Sequence, residues 1–125
     1  MGREDDVSQF PQDRLDVYGL AVELSRLGKQ LADAIPRGYR RLSDQAARAA
    51  MAVPLLISEG ANRTTAGQKR QRYCEARGEC GELASAAEVA CAWGLVPAAQ
   101  VRALRALAGR VGAMLTMLER RWAGR

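Results

Sequence analysis

The chain has 125 residues, room for one domain with one sizeable core, and 48% of them are apolar but only 5% aromatic. It contains no histidine, which excludes Ser-His and Cys-His nucleophile pairs, histidine metal sites and the commonest general base. The formal charge is +5, with residues 1–13 acidic and the remainder strongly basic.

The acidic start, "MGREDD", leads into no apolar stretch of the kind a signal peptide carries. Asp6 stands where a myristoylation signal has Ser or Thr. No apolar run approaches the roughly 20 residues that span a bilayer. A cytoplasmic protein with no membrane partner is therefore expected. Residues 1–13 read as a flexible acidic arm, and residues 14–125 as a folded unit.

From Leu15 to Ile35, apolar residues recur at Val17, Leu20, Leu24, Leu27, Leu31 and Ala34, a heptad-like seam on a first helix. "IPRGY" ends it, because Pro36 disfavours helix at the residue before it and Gly38 permits a turn. A second helix opens at Leu42 or Ser43 and runs to Gly60, with Leu42, Ala46, Ala49, Val53 and Leu56 on one face. Pro54 falls inside this helix, where it removes one donor and costs about 3 kcal/mol. A kink at Pro54 is expected, held by packing on the neighbouring helices.

"GANRTTAG" is a loop in which Thr64 or Thr65 can cap a third helix, Ala66 to Trp93. Its seam of Tyr73, Ala76, Cys80, Leu83, Ala87 and Ala90 is mostly small, so neighbouring helices can approach closely. Cys74, Cys80 and Cys91 lie on this helix without a CxxC pair and read as small, reduced, buried hydrophobes, with no metal site implied. After "GLVPAAQ", with Pro97 suited to a first helical position, a fourth helix carries Val101, Leu104, Ala108, Val111, Leu115, Leu118 and Trp122. Four amphipathic segments with short loops predict an all-α fold, an antiparallel up-down four-helix bundle kinked at Pro54.

Two features reach beyond the core. Leu107, Met114 and Met117 flank the main stripe of the fourth helix, where they either meet another subunit or widen a small core. Glu75, Glu79 and Glu82 form an acidic row on the third helix, and like charges at these spacings repel. That row either stays solvated or faces cations such as Arg48 or an arginine of a neighbouring subunit.

Of 19 basic residues only Lys29 and Lys69 are lysines. Arginine forks onto phosphate or carboxylate and stacks on bases, which suits nucleic acid or an acidic protein. The candidate nucleic-acid contacts are Arg37, Arg40, Arg41 and Arg48 around the second helix, and Arg63, Lys69, Arg70 and Arg77 around the third. Arg102 and Arg105 extend the set. Arg41 and Arg48 share a face with Gln45 between them, a track for phosphates. Glu75, Glu79, Glu82, Leu107, Met114 and Met117 are the candidate subunit interface.

The stretches "LDVYGLAVELSRL", "QAARAAMAVPLLISEGANR" and "ARGECGELASAAEVACAWGL" resemble a family of bacterial four-helix-bundle proteins encoded within 23S rRNA intervening sequences. Gln45, Arg48-Ala49-Ala50, Val53-Pro54, Ile57, Glu59-Gly60 and Arg63 carry the likeness, as do Ala76-Arg77-Gly78 and Glu82. Two positions depart from the pattern: Leu56 stands where the family usually has Asn, and Glu79 where it has Ser. The resemblance implies a homopentameric, non-catalytic protein without cofactors. A related branch serves as the accessory subunit of reverse transcriptases in diversity-generating retroelements, which implies RNA or DNA and such a polymerase as partners. The competing reading is a protein-interaction scaffold that binds no nucleic acid. A small enzyme built on Tyr18 or Glu59 is the third and least supported class.

Overall fold

The computed structural model describes residues 9–124. Four helices follow one another: α1 (Asp16–Ala34), α2 (Arg40–Asn62), α3 (Ala66–Ala92) and α4 (Ala98–Trp122). Short 3-10 turns, Pro11–Arg14 and Arg37–Tyr39, precede α1 and α2. Each helix packs on the next, and α4 returns against α1, which closes the four-helix bundle.

The interior follows the expected periodicity. Leu24, Leu31, Val53, Ile57, Tyr73, Leu83, Leu104, Val111 and Leu115 are the largest fully buried side chains. Between them sit Ala21, Ala46, Ala49, Ala76, Ala87 and Ala90, whose small size sets how closely the helices meet. Among the described residues no polar or charged residue is buried. The interior is thus held by apolar burial, worth roughly 25 cal/mol per Å².

Two glycines mark the closest approaches. A Cβ on Gly28 of α1 would lie 2.5 Å from Ala50 Cβ of α2, and one on Gly60 of α2 would lie 2.6 Å from the ring of Tyr73 of α3. At both points a side chain would push two helices apart. Gly94, at φ +73°, takes the left-handed turn after α3, and its amide donates to the Cys91 carbonyl at 2.9 Å.

Several helix boundaries differ from the sequence reading. The second helix starts at Arg40, ahead of Ser43. Ser43 Oγ instead donates to the Ala32 carbonyl at 3.0 Å, satisfying an acceptor in the last turn of α1. Helical geometry runs without a break through Pro54, which is itself buried. Thr65 is the α3 cap, its hydroxyl accepting from the Gln68 amide at 3.2 Å. Pro97 is the residue before the first turn of α4.

The last part of the expected acidic arm is built into the structure. Pro11–Arg14 form a turn, the Phe10 amide donates to Asp13 at 2.9 Å, and Asn62 Nδ2 donates to Gln12 Oε1 at 2.8 Å. Glu4, Asp5 and Asp6 lie outside the described residues. Of the three cysteines expected to be buried, Cys80 is buried, Cys91 half-buried and Cys74 exposed, because Cys74 turns away from the Tyr73 and Ala76 face. All three are free thiols.

Candidate nucleic-acid interface

The bundle divides the ten candidate basic residues into two groups, while Arg14, Arg110 and Arg120 are also exposed. In the first, each cation is taken up by a partner within the chain. Arg48 of α2 holds Glu79 of α3 through two nitrogens, at 3.1 and 3.0 Å, and reaches Glu82 at 2.9 Å. Gln45 joins them, donating to Glu82 at 2.8 Å. The fork onto Glu79 holds the Arg48 guanidinium above its ordinary pKa. Glu79 thus supplies the carboxylate that engages Arg48. Leu56 is half-buried against the core.

Arg77 pairs with Glu119 of α4, at 2.5 and 3.1 Å, an ion pair that ties α3 to α4 and raises the Arg77 pKa. Arg105 pairs with Glu88 at 2.5 Å, and Arg63 with Glu59 at 3.7 Å. Glu75 accepts from Gln71 at 2.9 Å and Arg72 at 2.8 Å, and these bonds, the Gln71 contact foremost, hold its carboxyl below the usual range. Arg72 also lies 3.5 Å from Glu59. The acidic row of α3 is therefore met by groups of its own chain.

Lys69 has a structural post. Its Nζ donates to the carbonyls of Gly60, at 3.3 Å, and Ala61, at 3.0 Å, and sits 5.3 Å from the centre of the Trp122 ring. It caps the last turn of α2, adding a donor at the Gly60 carbonyl, which also accepts from the Arg63 amide at 3.3 Å, and at that of Ala61. Arg70 donates to the Trp122 carbonyl at 3.3 Å. The ends of α2 and α4 and the start of α3 are so joined.

In the second group are Arg37, Arg40, Arg41 and Arg102, all exposed, with no ion pair among the described residues. Arg37, Arg40 and Arg41 lie within one turn and the start of α2, and Arg102 lies near the start of α4, at the same end of an up-down bundle. Two carboxylates belong to this corner. Asp33 is held by Lys29 at 2.6 Å, whereas Asp44 lines a hollow with Arg37 and Arg40. The balance there remains cationic.

The sequence names these arginines without separating the two groups, since the pairing is set by which helices face each other. Tyr39 and Trp93, more than 50 residues apart in sequence, have ring centres 6.1 Å from each other at this same end, a pairing that no sequence pattern signals. Of the expected subunit-interface residues on α4, Leu107 and Met114 are half-buried against the core, and Met117 is 62% exposed. Further exposed apolar side chains are Val22, Met51 and Leu55, on α1 and α2, with Met51 and Leu55 beside a groove at Pro54.

Among the described residues no cluster of three or more His, Cys, Asp or Glu is placed to hold a metal ion. No helix there is long and apolar enough to cross a membrane. No curated protein matches the chain. The family model described as 23S rRNA-intervening sequence protein matches residues 13–117, from the N-terminal turn to the last turns of α4. With the match covering most of the bundle, the chain belongs to the 23S rRNA-intervening sequence protein family.

Proposed function

We propose that this chain is a non-catalytic, homo-oligomeric accessory protein that binds nucleic acid through its arginine-rich surface. The observation that carries the reading is the group of Arg37, Arg40, Arg41 and Arg102, exposed at one end and free of ion pairs among the described residues. Phosphate is the ligand such guanidinium groups suit, since each presents a planar fork of donors. Contact of this kind is electrostatic and largely independent of sequence. The family match supports an association with RNA. The resemblance to retroelement accessory subunits supports a reverse transcriptase as the protein partner and a cytoplasmic setting.

Self-association is supported by exposed Val22, Met51 and Leu55 and by Met117, large apolar side chains on two faces of the bundle. The resemblance favours five subunits. Because Glu79 and Glu82 already pair with Arg48, and Glu75 with Arg72, apolar contact is a better basis for an interface than the acidic row.

Light scattering coupled to gel filtration, with and without nuclease, tests the whole reading. An oligomer that carries nuclease-sensitive material, released by high salt, is expected. A monomer, or an oligomer that never retains RNA or DNA at low salt, would overturn it. The oligomer without nucleic acid is the outcome that a pure protein scaffold requires.

A further inference from the structure

Tyr39 and Trp93 occupy fixed posts. Tyr39 is the residue on which α2 begins, and Trp93 is the last before the left-handed turn at Gly94. Their rings meet at 6.1 Å and a tilt of 49°, yet Tyr39 stays 42% exposed and Trp93 60% exposed. A chain with six aromatic residues thus places two of them together on its surface, where they do little for the core. Arg37, Arg40 and Arg41 adjoin Tyr39 in sequence and have no ion pair among the described residues. A groove of about 570 Å³ between α2 and α3 begins one turn away, with Leu42 and Val89 on its walls and no side chain at Gly81.

Duplex DNA or RNA offers phosphates to such a corner but keeps its bases stacked on each other. Single strands offer phosphates and open base faces together, and base stacking on aromatic side chains tolerates any sequence. Resting on the reading of the chain as a nucleic-acid binder, we propose that Tyr39 and Trp93 form a stacking platform for single-stranded nucleic acid, whose phosphates are held by Arg37, Arg40 and Arg41. The cationic surround favours this occupant over an acidic protein, because among the described residues Asp44 is the one carboxylate of the corner without an ion pair. The shared ligand chemistry is a base face joined to a phosphate, present in both RNA and DNA.

The test is fluorescence anisotropy of labelled single-stranded RNA, single-stranded DNA and duplex DNA of about 12 nucleotides, a length within the range of small single-strand sites. The full chain is compared with Trp93→Ala, Trp93→Phe and Tyr39→Ala, each checked for unchanged helical circular dichroism. The native chain is expected to prefer a single strand, and the tighter of the RNA and DNA arms names which one. Trp93→Ala is expected to lose about tenfold in single-strand affinity and the preference over duplex, while Trp93→Phe keeps most of both. Native binding of single strand and duplex alike, with Trp93→Ala unchanged, would overturn the platform and leave the nucleic-acid reading standing. No binding to any of the three by the native chain would overturn both.

Discussion

Arg48 of α2 and Glu79 of α3 are joined by a two-point fork, at 3.1 and 3.0 Å, that spans two helices and leaves only 19% of the Glu79 side chain exposed. Because Glu82 also accepts from Arg48, one guanidinium holds two carboxylates that would otherwise repel. Arg48→Ala is therefore expected to destabilise the bundle by about 1 kcal/mol, a modest value because the arginine itself is half exposed. The added Glu79→Ser change should recover part of that loss, since it removes the carboxylate left without a cation. Thermal unfolding of the single and double variants measures both, with about 4 °C expected per kcal/mol.

Gly60 and Gly78 make opposite predictions for the same substitution. Gly60→Ala would set a methyl 2.6 Å from Tyr73, whose ring is wholly enclosed, and should cost about 1–3 kcal/mol. Gly78→Ala meets nothing within 4 Å on an exposed helical face and should stabilise by about 0.5–1 kcal/mol. Urea unfolding of the two variants is the check, and equal effects would contradict the close approach at Gly60.

Lys69 is expected to matter for folding more than for binding. Lys69→Ala removes the cap on Gly60 and Ala61 and the contact with Trp122, and should cost about 1–2 kcal/mol. Its nucleic-acid affinity, measured well below the melting temperature, should stay within a few-fold of native.

The thiols divide by burial. Cys74 should react at once with an aromatic disulfide reagent at neutral pH, Cys91 more slowly, and Cys80 only once the chain unfolds. Burial pushes the Cys80 pKa up to about 12 and raises that of Tyr73 as well. Both groups stay protonated in the fold at a pH where the unfolded chain releases their protons. Stability is thus fully present below about pH 9 and is lost progressively as pH rises towards 12, the window set by Cys80. Denaturant midpoints between pH 8 and 11 should fall, and Cys80→Ala should flatten that fall.

The bundle was legible because apolar spacing reports directly on which side of a helix faces inward. Tyr73, Ala76, Cys80, Leu83, Ala87 and Ala90 were all expected to be buried, and all are. The start of α2 was less legible, since Arg40 and Arg41 have no apolar signal and the helix is extended there by the preceding 3-10 turn. The candidate site was legible only as a composition of arginines. Whether an arginine pairs within its own chain depends on the facing helix, so the sequence does not distinguish Arg77, which has Glu119 beside it, from Arg41. The pairing of Tyr39 with Trp93 depends in the same way on the order in which helices pack.

Under the proposed function, Arg37, Arg40 and Arg41 meet phosphates. The most direct test is the salt dependence of single-stranded RNA binding by the native chain and by the triple variant Arg37→Gln, Arg40→Gln, Arg41→Gln. Each phosphate contact to a single strand contributes about −0.7 to the slope of log affinity against log salt. A slope about two units shallower is expected in the folded triple variant, with a large loss of affinity at low salt. An unchanged slope would contradict it and place the contacts elsewhere on the bundle.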